Sequence, residues 1–160
     1  MGKKEEKTNV MRTLDQKKVP YIPHLFDADT RSGEEIAEIL GEDPSRVFKT
    51  LVTTGKTGQH YVFDIPVNEE LDLKKAAKAV GEKSVVMLPA KELLPLTGYV
   101  HGGCSPIGMK KQFRTVLHET ALDYDTIIVS GGRIGAQVEL SPDDLLRLVR
   151  GAAADVIVDA

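Results

Sequence analysis

The chain has 160 residues, 41% of them hydrophobic and 28% charged, with a formal net charge of -3. That length suits one domain with a single core, expected over residues 1–160, and the charge excludes nucleic-acid binding by bulk charge, so such a partner must be met by a local basic patch. No apolar run is long enough to span a bilayer, the start MGKKEEKTNV lacks the apolar centre of a signal peptide, and the single cysteine, Cys104, excludes an internal disulfide and fits a reducing cytoplasm.

Residues 5–18 predict a helix with Val10, Met11 and Leu14 on one face. Pro20 and Pro23 then enforce an extended path from Val19 to Phe26, read as a sheet-edge strand. Phe26 is a core aromatic or a pocket wall. Ser32 and Glu35 form a capping-box signature for a helix that reaches Leu40 and stops at Gly41. Asp43-Pro44 starts a helical turn that delivers the chain into a strand over 49–54. That strand and another over 60–66 make a hairpin across the polar connector at 55–59. Asp72 caps the helix LKKAAKAV, which Gly81 ends; Ala76, Ala77 and Val80 face inward, and Lys74, Lys75 and Lys78 outward.

A short strand over 85–88 follows, then a helical turn from Pro89 that stops before Pro95. Tyr99 and Val100 are placed in a strand, as are Val116-Leu117, 127–129 and 138–140. Ser141 caps the last helix, with Pro142 at its first position, acidic residues in its first turn and Gly151 as its stop. A final strand is expected within 152–158. About six to eight strands and about five helices, many joined by hairpin-length connectors, do not form a regular βαβ alternation. They predict an α/β protein of the α+β type: a mixed, mostly antiparallel, curved or barrel-like sheet flanked by helices.

Three stretches carry the chemistry. Residues 97–111 read TGYVHGGCSPIGMKK. A glycine pair in such a loop exposes backbone N–H groups that can hold an anion or a developing oxyanion; the plainer alternative is a tight turn that needs glycine for steric reasons. Residues 127–135 read IIVSGGRIG, a strand ending in a second glycine loop with the Ser130 hydroxyl at its mouth. In VFKTLV, Lys49 and Thr50 open an apolar, β-branched run where a charge is unusual. If the three meet, the site holds one ammonium, one hydroxyl and several backbone donors. His24, His60, His101 and His118 are scattered, only His101 beside one of these loops, so no Ser-His-Asp or Cys-His pairing is evident. No CxxC, HExxH or calcium-type spacing occurs, and no GxGxxG, so neither a metal nor another cofactor is expected. Lys74 and Lys78, with Lys110 and Lys111, are candidate phosphate contacts or else a solvated face.

Taken together, VFKTLV, LDLKKAAKAVG at 71–81, TGYVHGGCSPIGMKK and VSGGRIG at 129–135 resemble the YbaK/EbsC family of aminoacyl-tRNA deacylases, related to the editing domain of bacterial prolyl-tRNA synthetases. The resemblance runs from about Val19 to about Leu148 and is strongest to free-standing proteins that hydrolyse Cys-tRNA(Pro). It implies that Lys49, Gly102, Ser130 and Gly132 occupy functional positions. Phe26 would line the amino-acid pocket, with Thr50, His101, Gly103, Gly131 and Gln137 as further substrate contacts. Gln137 departs from the family, where an acidic residue is known, and Cys104 replaces a usual aliphatic residue and is read as a small buried side chain. The resemblance further implies that the substrate's own thiol attacks its ester, leaving a cyclic thioester, so that no enzyme nucleophile is needed. The implied partners are tRNA(Pro) and, transiently, prolyl-tRNA synthetase. Three rival readings stand beside this one: removal of alanine from Ala-tRNA(Pro) by an activated water, a tRNA-binding module without turnover, and a thiol enzyme using Cys104.

Overall fold

The computed structural model describes residues 7–26 and 33–159. The first helix, α1 (Asn9–Gln16), starts where Thr8 Oγ1 accepts the Met11 N–H at 3.2 Å, and it buries Val10, Met11 and Leu14. Strand β1 (Ile22–Leu25) is the edge strand that the two prolines announce, paired antiparallel to a later strand. Helix α2 (Gly33–Leu40) follows; its proposed cap, Ser32, lies outside the described residues. Asp43 caps a single helical turn at Pro44–Arg46, and the chain enters the hairpin of β2 (Phe48–Gly55) and β3 (His60–Pro66).

Helix α3 (Leu73–Val80) begins with Asp72 Oδ1 accepting the N–H groups of Lys74 and Lys75 at 2.9 and 3.0 Å, and Gly81 closes it at φ 75°. After β4 (Val85–Met87), α4 (Leu93–Thr97) runs through Pro95 rather than stopping before it. Proline is tolerated there because the first-turn N–H groups of a helix have no intrahelical acceptor to lose. Tyr99 and Val100 are loop rather than strand: the Tyr99 N–H goes to Thr97 Oγ1 at 3.0 Å, not to a neighbouring strand. Then come β5 (Arg114–His118), β6 (Ile127–Arg133), β7 (Ala136–Leu140), α5 (Pro142–Val149) and the short β8 (Ala152–Ala154). Arg150 takes the left-handed conformation that closes α5, at φ 54°, one residue before the expected glycine.

The strands form two sheets, ordered β1-β7-β6 and β4-β2-β3-β5-β8. Pairing is antiparallel except for β3 with β5 and β5 with β8, so the sheets are mixed and mostly antiparallel. A parallel bridge from Val47 to Ile128 ties one sheet to the other at the entrance of β2. The main core lies between α1, β2, β6, β7 and α5, around Leu14, Phe48, Ile127 and Leu145. A second cluster packs α3 onto β3 and β5 through Ala76, Ala77 and Val80 against Phe63 and Val116. Each large aliphatic or aromatic side chain removed from water there stabilises the fold by about 1.5–3 kcal/mol. Among the described residues no helix is long and apolar enough to cross a membrane, and no cluster of His, Cys, Asp and Glu is arranged to hold a metal ion.

Candidate active site

A cavity of ≈ 390 Å³ opens where the two sheets meet. The first half of β2 makes one wall, the loop after α4 another, and β6 with β7 a third; Met87, Leu88 and Leu93 close the apolar side. Lys49 is the second residue of β2 and half-buried, and its Nζ donates to the Val67 carbonyl at a long 3.5 Å. No carboxylate lines this cavity among the described residues, so the cavity wall offers the ammonium no ion-pair partner there.

The loop after α4 is knitted before it reaches the cavity. Thr97 Oγ1 donates to the Leu93 carbonyl at 2.8 Å, and the buried Tyr99 hydroxyl donates to the Ile107 carbonyl at 2.5 Å. Burial lifts the Tyr99 phenol to about 12, with the Cys104 charge adding to it, so it stays a donor. Between these anchors Gly102 turns at φ 89° and lines the cavity. Among the described residues its N–H has no acceptor, whereas the Gly103 N–H is taken by the Val100 carbonyl at 2.9 Å.

On the third wall, β6 and β7 pair as Ser130 with Gln137 and then as Arg133 with Ala136, so Gly131 and Gly132 are inserted as a bulge. Such an insertion re-aims the side chain before it. Ser130, 8% exposed, and Gln137, 5% exposed, are thereby presented to the cavity. Ser130 Oγ accepts the Gly132 N–H at 3.1 Å, which leaves its own O–H to donate. The strand carrying Gln137 is fixed by its neighbour Glu139, which receives Thr126 Oγ1 at 2.5 Å, Arg46 at 2.8 Å and His24 at 2.8 Å. Burial would raise the Glu139 acid, but these bonds outweigh it and hold the carboxyl at about 2.

Lys49, Thr50, His101, Gly102, Ser130 and Gln137 therefore face one hollow, as do the Cys104 thiol and Ile36. Gly103, Gly131, Gly132 and Phe26 do not. Gly103 is a glycine because a Cβ would come within 3.0 Å of the Arg133 Cα, and Gly131 because one would come within 3.1 Å of the Ala136 backbone. Both let two segments of main chain touch, a packing role that the absence of a side chain makes possible. Gly132, at φ 102°, faces α1, where a Cβ would lie 2.9 Å from Val10. Its N–H is spent on Ser130, so it is not a free oxyanion donor. Phe26 follows β1 and is half-buried, its N–H on the Gly135 carbonyl at 3.0 Å.

Cys104 lines the cavity rather than being sealed in the core, and burial, together with the nearby Asp64 charge, pushes its thiol up to about 12. Lys74, Lys78, Lys110 and Lys111 are exposed and none lines the cavity. Lys75, expected to face outward with its neighbours, instead bridges to Asp155, Asp159 and the Ile157 carbonyl.

One residue of consequence escaped the sequence reading. Asp64, in the middle of β3, is fully buried; its Oδ1 accepts the Thr50 hydroxyl at 2.5 Å and its Oδ2 has no partner among the described residues. Burial lifts the acid to about 7 against the opposing effect of the Thr50 bond. The signal was a carboxylate inside the run Val62-Phe63-Asp64-Ile65, the same anomaly that drew notice to Lys49.

Comparison with known proteins gives this arrangement its class. The family described as an aminoacyl-tRNA editing domain matches residues 27–148. The chain belongs to that family, and by class it is an aminoacyl-tRNA deacylase. EbsC of Enterococcus faecalis, named as a candidate Cys-tRNA(Pro)/Cys-tRNA(Cys) deacylase, is 52% identical over 156 residues, covering 96% of this chain and 95% of that protein. A crystal structure described as a candidate trans-editing enzyme for prolyl tRNA synthetase superposes with a TM-score of 0.82 at 27% identity, over 96% of this chain and 100% of that one. The proline–tRNA ligase of Thermosipho melanesiensis is 28% identical over 72% of this chain, which spans only 22% of that enzyme.

Proposed function

We propose that the cavity receives the aminoacyl end of mischarged tRNA and that Cys-tRNA(Pro) is the substrate. The observation that carries this is the meeting of Lys49, Gly102 and Ser130 around one hollow that holds no prepared nucleophile among the described residues. The ester would be bound, oriented and stabilised, and the attacking atom would come with the substrate. Lys49 holds the terminal phosphate or ribose and fixes the register of the ester. The Gly102 N–H meets the oxygen that becomes anionic, a donor of a kind that lowers such a barrier by ~3 kcal/mol. Ser130 donates to the substrate carbonyl from the opposite wall.

The substrate thiol then attacks its own carbonyl carbon. A carbon–sulfur bond forms, the carbon–oxygen bond to the ribose breaks, and the thiol proton ends on the departing ribose hydroxyl. The products are a cyclic thioester and free tRNA. An amino acid without a thiol cannot supply that attack, so selectivity does not depend on a tight pocket. Lys110 and Lys111, exposed after the Gly102 loop, and Lys74 and Lys78 on α3 are the proposed phosphate contacts. With a net charge of only -3, the domain is proposed to be recruited to tRNA(Pro) beside prolyl-tRNA synthetase, in the cytoplasm. The name of the Enterococcus relative supports the amino acid, and it includes tRNA(Pro) beside tRNA(Cys).

The test is release of labelled amino acid from Cys-tRNA(Pro), Cys-tRNA(Cys), Ala-tRNA(Pro) and Pro-tRNA(Pro), compared at equal concentration. The cysteinyl substrates are expected to be cleared fastest and Pro-tRNA(Pro) to survive. Faster release of alanine would instead indicate an activated water. Tight binding with no release from any of the four would make the chain a binding module.

A further inference from the structure

An aminoacyl ester carries a free α-ammonium, and the proposed site already contains the Lys49 ammonium. Two like charges in one desolvated hollow repel, and binding requires an acceptor backed by negative charge. Ser130 Oγ already accepts the Gly132 N–H, and Gln137 is a neutral amide. Neither brings a negative charge.

We infer that Asp64, from behind the cavity wall, orients the Thr50 hydroxyl so that Thr50 accepts a hydrogen bond from the α-ammonium of the substrate. The geometry is direct. Thr50 lines the cavity and sits opposite Asp64 in the β2–β3 pairing, its Oγ1 2.5 Å from Oδ1. When the carboxylate takes the hydroxyl proton, the remaining lone pairs of Thr50 Oγ1 face away from Asp64, and chained hydrogen bonds of this kind strengthen one another. When Asp64 is protonated it can donate to Thr50, and the hydroxyl is freed to donate into the cavity, the wrong polarity for a cation.

The surroundings of Asp64 leave its charge free to respond. β2 presents Thr50 to it, β5 presents Leu117, and the loop after α4 presents the Cys104 thiol, which stays neutral below about 12. Its Oδ2 has no partner among the described residues. With its acid raised to about 7 by burial, the group lies near its point of ionisation, and a cation arriving at Thr50 favours the carboxylate. Asp64 is thus a positioning residue that acts through Thr50.

This inference rests on the aminoacyl-tRNA reading, and its test separates the two. Hydrolysis of Cys-tRNA(Pro) is compared with that of the same tRNA esterified with 2-hydroxy-3-sulfanylpropanoate, in which a hydroxyl replaces the ammonium and the thiol is retained. For the wild type, the ratio of kcat/KM between the amino and hydroxy substrates measures recognition of the ammonium. Asp64→Asn is expected to lower that ratio at least tenfold, through KM rather than kcat. Thr50→Val is expected to do the same, and Thr50→Ser to restore the ratio. The Thr50 pair decides the matter if the Asp64 variant does not fold. An unchanged ratio in Asp64→Asn, or in Thr50→Val, overturns the inference while leaving the deacylase reading intact. Failure of the wild type to cleave either ester removes the reading and the inference together.

Discussion

The two glycine loops are nearly interchangeable as text, His-Gly-Gly-Cys at 101–104 and Ser-Gly-Gly-Arg at 130–133, and they do opposite work. In the first, Gly102 faces open space: a Cβ would meet only Ile134 at an ordinary 3.5 Å, and its N–H is uncommitted among the described residues. In the second, Gly132 is pressed against Val10 and its N–H is committed to Ser130. Positive φ alone does not separate them, at 89° and 102°. What separates them is where the amide hydrogen goes. The first loop leaves its amide uncommitted among the described residues; the second donates inward to the Ser130 hydroxyl.

The contrast is most sharply broken at the open loop. Gly102→Ala is expected to lower kcat for Cys-tRNA(Pro) about 100-fold, because a left-handed alanine turns the amide away from the oxyanion. Lys49→Ala, on the facing wall, is expected to lose at least as much of kcat/KM, about 100-fold or more, as register is lost. Its long contact with the Val67 carbonyl contributes little to stability, so its melting temperature should stay within a degree or two of wild type. Full activity in the lysine variant would end the positioning role.

The closed loop should fail differently. Gly132→Ala combines left-handed strain with a methyl driven to 2.9 Å from Val10 Cγ2, together about 3 kcal/mol of stability. Denaturant unfolding would register this, and the folded fraction should retain its kcat within a few-fold. Val10→Ala in the same chain removes the overlap but not the strain, and should recover about half of the loss. A Gly132→Ala enzyme of normal stability and hundredfold lower kcat would return Gly132 to the catalytic amides.

Two carboxylates carry the same distinction between committed and uncommitted groups. Glu139 is held down at about 2 from an ordinary 4.5, so its contribution is complete above 4.5 and disappears as pH falls toward 2. The shift corresponds to about 3 kcal/mol at most, less what residual exposure screens. Asp64 is raised from 3.8 to about 7, so its contribution is complete below 3.8 and is lost as pH climbs to 7. Stability measured against pH should therefore show an acid limb that Glu139→Gln flattens and a limb between 4 and 7 that Asp64→Asn flattens. Identical limbs in the variants would remove these carboxylates as the source.

Much of this was readable before any coordinates. Capping by Asp72 and Ser141 and the β2–β3 hairpin rest on local chemistry that short stretches display, whereas the meeting of Lys49, Gly102 and Ser130 depends on packing between distant segments and was pointed to only by the family resemblance. The bulge at 131–132 does not show in the text, because register depends on what lies across the sheet. Nor does the difference between Gly102 and Gly132, which is decided by Val10 from α1 and by the Ser130 hydroxyl two residues earlier in β6. Pro95 misled because its cost depends on its place within a helical turn, and Lys75 because its partners lie eighty residues away in sequence.

The smallest expected effect is at Cys104, and it discriminates best between a borrowed and a resident nucleophile. The thiol sits in the same hollow as Gly102, near enough to tempt an assignment. Attack requires the thiolate, and a thiol at about 12 supplies roughly one part in 10⁵ of it at pH 7. Burial and the Asp64 charge both act against ionisation, and no histidine in the structure is hydrogen-bonded to the sulfur among the described residues. Cys104→Ala should therefore keep deacylation of Cys-tRNA(Pro) within about twofold and lose about 1 kcal/mol of stability or less. A hundredfold loss of kcat in a folded Cys104→Ala enzyme would place the attacking sulfur on the protein.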